Sequence, residues 1–363
     1  MASLTRENVE TAIAGYTDPY LEHDLLVAKC VKDIRIEDGA VAVDIVLGFP
    51  AKGYSAQLAA ALEERIGALE NVASATVQVS TKVTAHTVQQ GVKRLTNVKN
   101  MIAVASGKGG VGKSTTAVNL ALALRLEGAR VGILDADIYG PSQPRMLGIS
   151  GQPESTDGKS LEPMLNHGVQ AMSIGFLIDE ETPMIWRGPM VTQALEQLLN
   201  DTRWKDLDYL IIDLPPGTGD TQLTLAQKVP VSGAIIVTTP QDIALLDARK
   251  GLKMFEKVEV PILGIIENMS THICSSCGAE EHIFGAGGGA RMAEQFGVSF
   301  LGELPLDIRI REQADGGQPT VAAEPESRIA QVYREIARRV AAKLSLQAKD
   351  HTAKFPNIVI QNS

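Results

Sequence analysis

The stretch that decides the fold is Gly107-Lys-Gly-Gly-Val-Gly-Lys-Ser-Thr115. Its spacing satisfies G-x-x-x-x-G-K-[ST], the phosphate-binding loop in which backbone N–H groups surround phosphate oxygens. The apolar run Met101–Ala105 before the loop predicts a strand, and apolar residues after it repeat with helical spacing until Gly128. A strand leading into a helix N-terminus favours anion binding, whereas a glycine-rich turn without a ligand is the competing interpretation. The pattern therefore predicts a nucleotide-binding protein, with Lys113 on the β- and γ-phosphates and the Ser114 hydroxyl on Mg²⁺.

Composition narrows the class of protein. A chain of 363 residues is long enough for two or three domains, and its low aromatic content of 4% favours parallel sheets covered by helices. Lys and Arg number 34 against 43 Asp and Glu, and this net charge of −9 argues against nucleic acid as a partner. No apolar run is long enough to span a bilayer and the N-terminus lacks a signal pattern, so we expect no membrane insertion and a cytoplasmic location. The three cysteines fit a reducing compartment better than a disulfide framework.

The periodicity divides the chain into parts. Residues 1–83 predict a small α/β domain, in which Asp38-Gly39 is the turn of a β-hairpin. Residues 84–98 are polar and weakly patterned, which indicates a linker. Residues 347–363 form a tail without a strong pattern.

Residues 99–346 alternate strands with helices, which predicts an α/β fold with a doubly wound, mostly parallel sheet and a ligand at the carboxyl ends of its strands. The last clear helix is expected from about Ser327. The other strand candidates are Val131–Leu134, Val169–Ser173, Tyr209–Ile212, Ala234–Val237, Ile262–Ile266 and a short one near Phe300-Leu301.

Acidic residues follow two of these strands. Asp135 and Asp137 come after one strand, and Asp213 ends another, so their carboxylates should lie at the phosphate edge of the sheet. We expect Asp213 to orient Mg²⁺ through water and Asp137 to position the attacking water. The loop Pro215–Gly219 would then sense the γ-phosphate. Capping of the following helices is the alternative role for Asp135 and Asp213.

Lys108 occupies a position where an ordinary phosphate-binding loop accepts almost any residue. With this lysine, the loop resembles the deviant P-loop of the MinD/ParA-like ATPases. The resemblance implies that Lys108 crosses a nucleotide-sandwich homodimer to the partner's phosphates, whereas Lys113 acts in its own subunit. The alternative is that Lys108 is a solvated surface charge. The expected nucleotide-contacting residues of the loop are Gly107, Lys108, Gly109, Gly110, Val111, Gly112, Lys113, Ser114 and Thr115.

A second motif is Cys274-x-x-Cys277. Two thiols can hold a metal, but a closed tetrahedral or cubane site needs four thiolates. The remaining cysteine, Cys30, lies in the other predicted domain. A two-fold dimer that brings together one pair from each subunit would supply the four.

The chain from 99 to 345 resembles the Mrp/ApbC group of P-loop ATPases that carry iron–sulfur clusters. The motifs that carry the resemblance are Asp137-Ile-Tyr-Gly-Pro-Ser142, Trp186-Arg-Gly-Pro189, Asp213-Leu-Pro-Pro-Gly-Thr-Gly-Asp220, Thr239-Pro-Gln241, Asn268-Met-Ser270, Cys274-x-x-Cys277 and Ile283-Phe-Gly285. The resemblance implies that Cys274 and Cys277 bind a labile [4Fe–4S] cluster that bridges two subunits. It also implies that Asn268 and the loop near Pro240 face the adenine.

The N-terminal part resembles the MIP18-like (DUF59) domain often fused to this group, with Asp18-Pro19 as the matching signature. That domain often has a reactive Cys-Pro after its second strand, whereas this chain has Gly48-Phe-Pro-Ala-Lys-Gly53. A thiol role for this domain is therefore not expected, and Cys30 is expected to be a buried small hydrophobe.

Other interpretations of the metal motif remain open. A bridging Zn²⁺ is possible, with His272 or His282 as nitrogen donors, and a thioredoxin-like redox role is a third option. Trp186 and Arg187 could contact a partner or the nucleotide loop, or could serve core packing and a surface ion pair.

The leading prediction is a slow ATPase that binds a labile cluster at a dimer interface and transfers it to apo iron–sulfur proteins, with Lys108, Lys113 and Asp137 as catalytic residues. The alternative is a positioning switch without metal, like the partition and division-site relatives. Such relatives use a basic amphipathic C-terminal helix or basic patches. The acidic chain and its tail from Asp350 onward lack those features.

Overall fold

The computed structural model describes residues 4–89, 91–178, 188–274 and 277–349. Within these ranges, a three-stranded sheet and two helices form the N-terminal part. Its elements are α1 (Arg6–Ala14), β1 (Val31–Glu37), β2 (Ala40–Leu47), α2 (Ser55–Gly67) and β3 (Ser74–Thr81). β1 and β2 pair antiparallel around Asp38-Gly39, where both residues have positive φ, and β3 lies parallel to β2. Two positive φ values are what a tight two-residue hairpin turn requires, so the predicted hairpin is confirmed.

A larger sheet follows, with nine strands in the described part of the chain. They are β4 (Val98–Ala105), β5 (Val131–Asp135), β6 (Met164–Asn166), β7 (Val169–Ser173), β8 (Leu207–Asp213), β9 (Gly233–Thr238), β10 (Ile262–Ile273), β11 (Glu280–Glu281) and β12 (Phe300–Pro305). The strand order is β11-β10-β9-β4-β8-β5-β7-β6, and β12 pairs with β10 as well. Only β10–β11 and β6–β7 are antiparallel among these pairs, so the predicted mostly parallel α/β sheet is confirmed.

Helices cover this sheet. They are α3 (Lys113–Leu126), α4 (Gln143–Met146), α5 (Gly188–Asp201), α6 (Asp220–Lys228), α7 (Asp242–Lys257), α8 (Gly288–Phe296), α9 (Ile308–Asp315), α10 (Thr320–Ala323) and α11 (Arg328–Ser345), with a short 3₁₀ turn at Ile174–Phe176. The long C-terminal helix begins where the sequence predicts, because the Ser327 hydroxyl caps it by accepting a hydrogen bond from Ala330 N at 3.2 Å. Every residue of β8 is buried, which explains why that strand is a continuous apolar run without alternation.

Several strands differ from the prediction, and the differences are largest for β10 and for the unpredicted short strands β6 and β11. β10 continues to Ile273, well past the expected end at Ile266. Polar residues interrupt the apolar run there, but pairing of Thr271 with Pro305 of β12, and then with β11, prolongs the strand. The short edge strand β6 was not predicted, because three residues give no periodic signal.

The N-terminal part contacts α3 and α11 through one buried carboxylate. Glu127, directly after α3, is 1% exposed and accepts hydrogen bonds from Gly53 N (2.9 Å), Arg334 Nε (2.8 Å) and Arg338 Nη2 (2.6 Å). Arg338 also donates to the Tyr20 hydroxyl at 2.8 Å. Burial alone would raise the pKa of Glu127, but the hydrogen bonds from Arg338, Arg334 and Gly53 hold it below its ordinary value. We call these five residues the Glu127 cluster.

The segment between β3 and β4 is held against the end of α6 by Gln89. Gln89 is buried, and its Nε2 donates to the carbonyl oxygens of Ala226 (2.6 Å) and Val229 (2.9 Å) at the end of α6. Its Oε1 accepts from Val231 N at 3.0 Å. One amide side chain thus satisfies backbone groups that the helix end leaves without intrahelical partners.

Candidate nucleotide site and cysteine hairpin

The phosphate-binding loop leads from β4 into α3. At two positions of the loop, neighbouring residues lie so close that only glycine fits. Gly112 precedes the first residue of α3 with φ of 80°, and a Cβ there would lie 2.2 Å from Asn268 Nδ2. A Cβ on Gly107 would lie 2.1 Å from the carbonyl carbon of Asp247 in α7. Both glycines are therefore needed for the backbone to pass this close to its neighbours, which leaves the loop free to turn its N–H groups toward an anion.

The structure brings Lys113, Ser114 and Asp213 together. The Lys113 ammonium is buried, donates to Ser114 Oγ at 3.1 Å and pairs with Asp213 Oδ1. Asp213 itself is completely buried at the end of β8, beside the central strand β4. A hydroxyl, a carboxylate and a cation at one point are the donor set that Mg²⁺ and phosphate oxygens need.

Asp135 holds a loop in place. Its carboxylate accepts hydrogen bonds from the backbone N–H groups of Asp137 (3.2 Å), Ser142 (3.0 Å) and Gln143 (3.0 Å), and from Ser173 Oγ (3.1 Å). It therefore caps the start of α4, the role that the sequence left as an alternative. Burial and, second, the charge of Asp213 raise the pKa of Asp135 to about 7.

Asp137 lies two residues beyond β5, in the loop that Asp135 holds. Burial raises the pKa of Asp137, the Lys113 ammonium lowers it, and the charge of Asp213 raises it further. These effects place Asp137 within electrostatic range of the phosphate-binding lysine. A carboxylate at this position can orient a water molecule next to a γ-phosphate.

Gln143 belongs to the site and was missed by sequence reasoning. Its side chain is completely buried, and Nε2 donates to Asp213 Oδ2 (2.8 Å) and to the Ser114 carbonyl oxygen (3.1 Å). Its only signal in the sequence is its place directly after the Gly140-Pro-Ser142 turn that follows Asp137. The side chain joins the loop carrying Asp137 to Asp213 and to the backbone of Ser114.

Lys108 and Asn268 contact the loop differently. Lys108 is half-buried, its carbonyl oxygen accepts a hydrogen bond from Ser106 Oγ at 2.9 Å, and no carboxylate among the described residues pairs with its ammonium. Asn268 is buried on β10 and donates from Nδ2 to the Val111 carbonyl oxygen at 2.8 Å. An amide on β10 therefore fixes the phosphate-binding loop from the side.

Glu267, the neighbour of Asn268, was also missed. Its carboxylate is completely buried and accepts hydrogen bonds from the backbone N–H groups of Gly287 (3.0 Å) and Gly289 at the start of α8. Pro240 lies close to the same turn, since a Cβ on Gly288 would lie 2.9 Å from its carbonyl oxygen. Of the two predicted adenine-side residues, Pro240 thus borders the turn before α8, whereas Asn268 contacts the phosphate-binding loop.

The cysteine pair lies in a hairpin beyond the end of β10. Cys274 N donates to the Ala279 carbonyl oxygen (2.9 Å), and Gly278 N donates to the Cys274 carbonyl oxygen (2.8 Å). Cys277 is exposed and Cys274 is partly exposed, and neither forms a disulfide. This tight turn, which we call the cysteine hairpin, presents two thiols of one chain at the surface. Residues 275 and 276 of it lie outside the described residues.

The flanking histidines are engaged through one ring nitrogen each. His272 Nδ1 lies 3.0 Å from the Leu306 carbonyl oxygen, and His282 Nδ1 lies 2.8 Å from the Ser270 carbonyl oxygen. In the ranges that the structure covers, no three His, Cys, Asp or Glu side chains are grouped so that they could hold a metal ion. One chain therefore offers a pair of thiols at the hairpin.

Three predictions remain, which concern Cys30, the pair Trp186 and Arg187, and membrane spans. Cys30 is buried in the N-terminal part, and burial raises the pKa of its thiol to about 11, which fits an inert hydrophobe. Trp186 and Arg187 lie outside the described residues. As for membranes, none of the helices described is both long and apolar enough to cross a bilayer.

Comparisons with known proteins identify the families that the chain matches. Residues 97–341 match the profile of the NUBPL iron-transfer P-loop NTPases, and residues 6–79 match that of the iron–sulfur cluster assembly protein domain. The iron-sulfur cluster carrier protein of Escherichia coli K12 is 49% identical over 95% of this chain and 94% of its own length. That of Pseudomonas fragi is 61% identical over 76% of this chain and 97% of its own length.

Two solved structures resemble the fold. The nucleotide-binding protein from Archaeoglobus fulgidus, solved in complex with ADP and with cobalt found, is 38% identical, with a TM-score of 0.57 over 64% of this chain and 91% of its own. The cell-division ATPase MinD of Pyrococcus furiosus shares the fold at 23% identity, with a TM-score of 0.52 over 66% of this chain and 98% of its own.

Proposed function

The chain belongs to the family of NUBPL iron-transfer P-loop NTPases, and from that premise we propose that it is an ATP-hydrolysing carrier of a labile iron–sulfur cluster. It is an ATP-binding protein of the iron–sulfur class, and its family supports nucleotide hydrolysis in general. The observation that carries the finer proposal is the cysteine hairpin, which exposes two thiols at the end of a strand that also contacts the phosphate-binding loop.

Our proposal for hydrolysis begins with the pair of Lys113 and Asp213. When ATP enters, Lys113 leaves Asp213 for the β- and γ-phosphate oxygens, which are stronger anionic partners. Ser114 Oγ and Asp213 would hold Mg²⁺, which supplies positive charge to the phosphate oxygens when bound. Asp137 orients the attacking water, and Lys108 reaches the phosphates of a second subunit. Turnover is slow because the loop offers no strong base beyond Asp137.

The cluster is the cargo in this proposal. Cys274 and Cys277 from two copies of the chain supply four thiolates, which is the number that a [4Fe–4S] cluster requires. An exposed hairpin leaves the cluster accessible to apo iron–sulfur proteins, which would be its recipients. Binding and hydrolysis of ATP would change the arrangement of the two copies and so gate loading or release.

Anoxic reconstitution with iron and sulfide tests the proposal. We expect a brown protein containing four iron and four sulfide per two chains, and a loss of both in Cys274→Ser and Cys277→Ser. Cys30→Ser is the matched control. The Cys30 thiol is buried in the N-terminal part, so this variant should retain full cluster content.

The same samples separate the alternatives. If the protein contains one zinc ion per two chains and no sulfide, the bound group is a bridging Zn²⁺ and not a cluster. Full iron and sulfide in the two hairpin variants would remove the carrier function altogether. A solution mass of one chain in every nucleotide and cluster state would refute the bridging arrangement.

A further inference from the structure

We propose that Gln143 is a positioning residue for the Mg²⁺–nucleotide site, because its amide keeps the Asp213 carboxylate in place after Lys113 has moved to the phosphates. The inference rests on the nucleotide half of the proposed function. It concerns a residue to which no motif above assigns a role.

The hydrogen bonds fix the orientation of the Gln143 amide. A carboxylate oxygen and a backbone carbonyl oxygen can only accept, so the atom that faces Asp213 Oδ2 and the Ser114 carbonyl oxygen must be the NH₂ group. Both of its hydrogens are used. The position of Oε1 is therefore fixed as well, because it is bonded to the same carbon as the nitrogen that contacts Asp213 and Ser114.

That oxygen is buried and has no hydrogen-bond partner within the described structure, and the same is true of the neighbouring Ser142 Oγ. Gln143 as a whole is completely buried. A buried acceptor without a donor costs free energy, and proteins tolerate such atoms where a ligand or its water completes the set. The two oxygens lie on the loop that reaches the residues expected to hold Mg²⁺, whose bound waters are hydrogen-bond donors.

Asp213 has one partner for each carboxylate oxygen. Lys113 pairs with Oδ1 and Gln143 Nε2 donates to Oδ2. With Lys113 on the phosphates, Asp213 Oδ1 would be free to help hold Mg²⁺, and the Gln143 amide would still prevent rotation of the carboxylate. A neutral donor suits this role, because it holds the carboxylate without competing for it as a cation would.

The backbone of Gln143 extends the connection. Its N–H donates to Asp135 Oδ2, the same oxygen that accepts from Ser142 N, so the loop from Asp137 onward is fixed to the metal-binding residues at this point. Gln143 therefore couples the position of Asp137 to the position of Asp213. Metal binding would then depend on the Gln143 side chain, and the position of Asp137 on the Gln143 backbone N–H.

The test measures ADP affinity by calorimetry with Mg²⁺ and again with excess EDTA, for the full-length chain and for Gln143→Met. Loss of an outer-shell partner commonly lowers metal affinity by about 10- to 100-fold. We expect the affinity gain from Mg²⁺ to fall at least about tenfold in Gln143→Met, while the affinity in EDTA changes by less than about threefold. The matched control is Gln170→Met, because Gln170 also bonds backbone groups through its amide but lies on β7 at Lys205.

Gln143→Asn, which draws the amide back by one methylene, is the second variant and should show the same selective loss. An unchanged Mg²⁺ gain in both variants, an equal loss of affinity with and without Mg²⁺, or failure of both to fold would each overturn the proposal. If the wild-type chain itself shows no gain from Mg²⁺, the nucleotide half of the proposed function fails instead. Cluster content after reconstitution should be the same in all these variants.

Discussion

A buried ion pair lies at each end of α3, and the two pairs differ in the kind of cation and in how many polar atoms around them have partners. At the C-terminal end, both oxygens of Glu127 are engaged by a backbone N–H and by two arginines. At the N-terminal end, Asp213 is neutralised by a lysine, and unpartnered oxygens of Ser142 and Gln143 lie nearby. Arginine holds a fixed fork of donors, whereas lysine is a mobile point charge. The comparison shows that one end is complete without a ligand and the other is not.

The largest expected effect comes from removing the mobile charge. Lys113→Met should lower kcat for ATP hydrolysis by on the order of 100- to 1,000-fold, because it removes a preorganised donor to the transferred phosphoryl group. Lys205→Met, which removes an exposed lysine paired with Glu162, should hydrolyse ATP at the wild-type rate. Phosphate release under saturating ATP is the measurement. A loss of less than about threefold would show that the N-terminal pair is as structural as the Glu127 cluster.

Glu127→Gln addresses the opposite end of the comparison. Two arginines would lose their shared carboxylate, and breaking such a buried pair typically costs about 3 kcal/mol of unfolding free energy. ADP affinity should be unchanged, since the cluster lies at the far end of α3. Urea unfolding and calorimetry check both values, with Glu162→Gln, a partly exposed carboxylate, as control for loss of a surface charge. A weakened ADP affinity at unchanged stability would reverse the assignment of the two ends.

The pH dependence of stability should have opposite sign at the two ends. The folded pKa of Glu127 is lowered, so its contribution is present above its ordinary pKa of 4.5 and is lost as the pH falls through the lowered value. The folded pKa of Asp135 is raised to about 7 from 3.8, so the folded state is stabilised at low pH and loses that contribution as the pH rises toward 7.

Unfolding free energies measured from about pH 2 to about pH 8 without nucleotide test this contrast. Relative to wild type, Glu127→Gln should become less stable as the pH rises from its low end, and Asp135→Asn should become more stable up to about pH 7. Parallel curves for the two variants would contradict the assigned pKa shifts.

The smallest effect is expected at Gln89, which belongs to neither end of α3. Gln89→Ala removes three hydrogen bonds to backbone groups at the end of α6 and should cost about 1–2 kcal/mol of unfolding free energy. Thermal unfolding measures it, and Gln295→Ala on the surface of α8 is the control. A cost equal to that of Glu127→Gln would mean that the segment between the two sheets contributes as much as the cluster does.

The sequence predicted those structural features that depend on residues close together in the chain. The phosphate-binding loop, the hairpin at Asp38-Gly39 and the buried strand β8 all follow from spacing and apolar content within a few residues. Lys113, Ser114 and Asp213 could be expected together, because strand ends of a parallel sheet meet at one edge.

The residues that were missed depend on distant partners. Gln143 acts through Asp213, which is 70 positions away, and Glu127 acts through Arg338, which is 211 away. Glu267 caps a helix that begins 21 residues later. No periodicity or local motif encodes such contacts, since they exist only after the sheet has assembled.

Strand β10 connects the nucleotide pocket to the thiols with no loop in between. Asn268 holds the Val111 carbonyl, and Cys274 follows six residues later at the strand's end. The one backbone irregularity on this path is Met269, whose φ of 59° is strained for a side chain of its kind, at the point where the register with β12 shifts. Under the proposed function, a displacement of the phosphate-binding loop would either bend β10 at Met269 or move the two thiols with it, so the backbone of Met269 decides which of the two can occur.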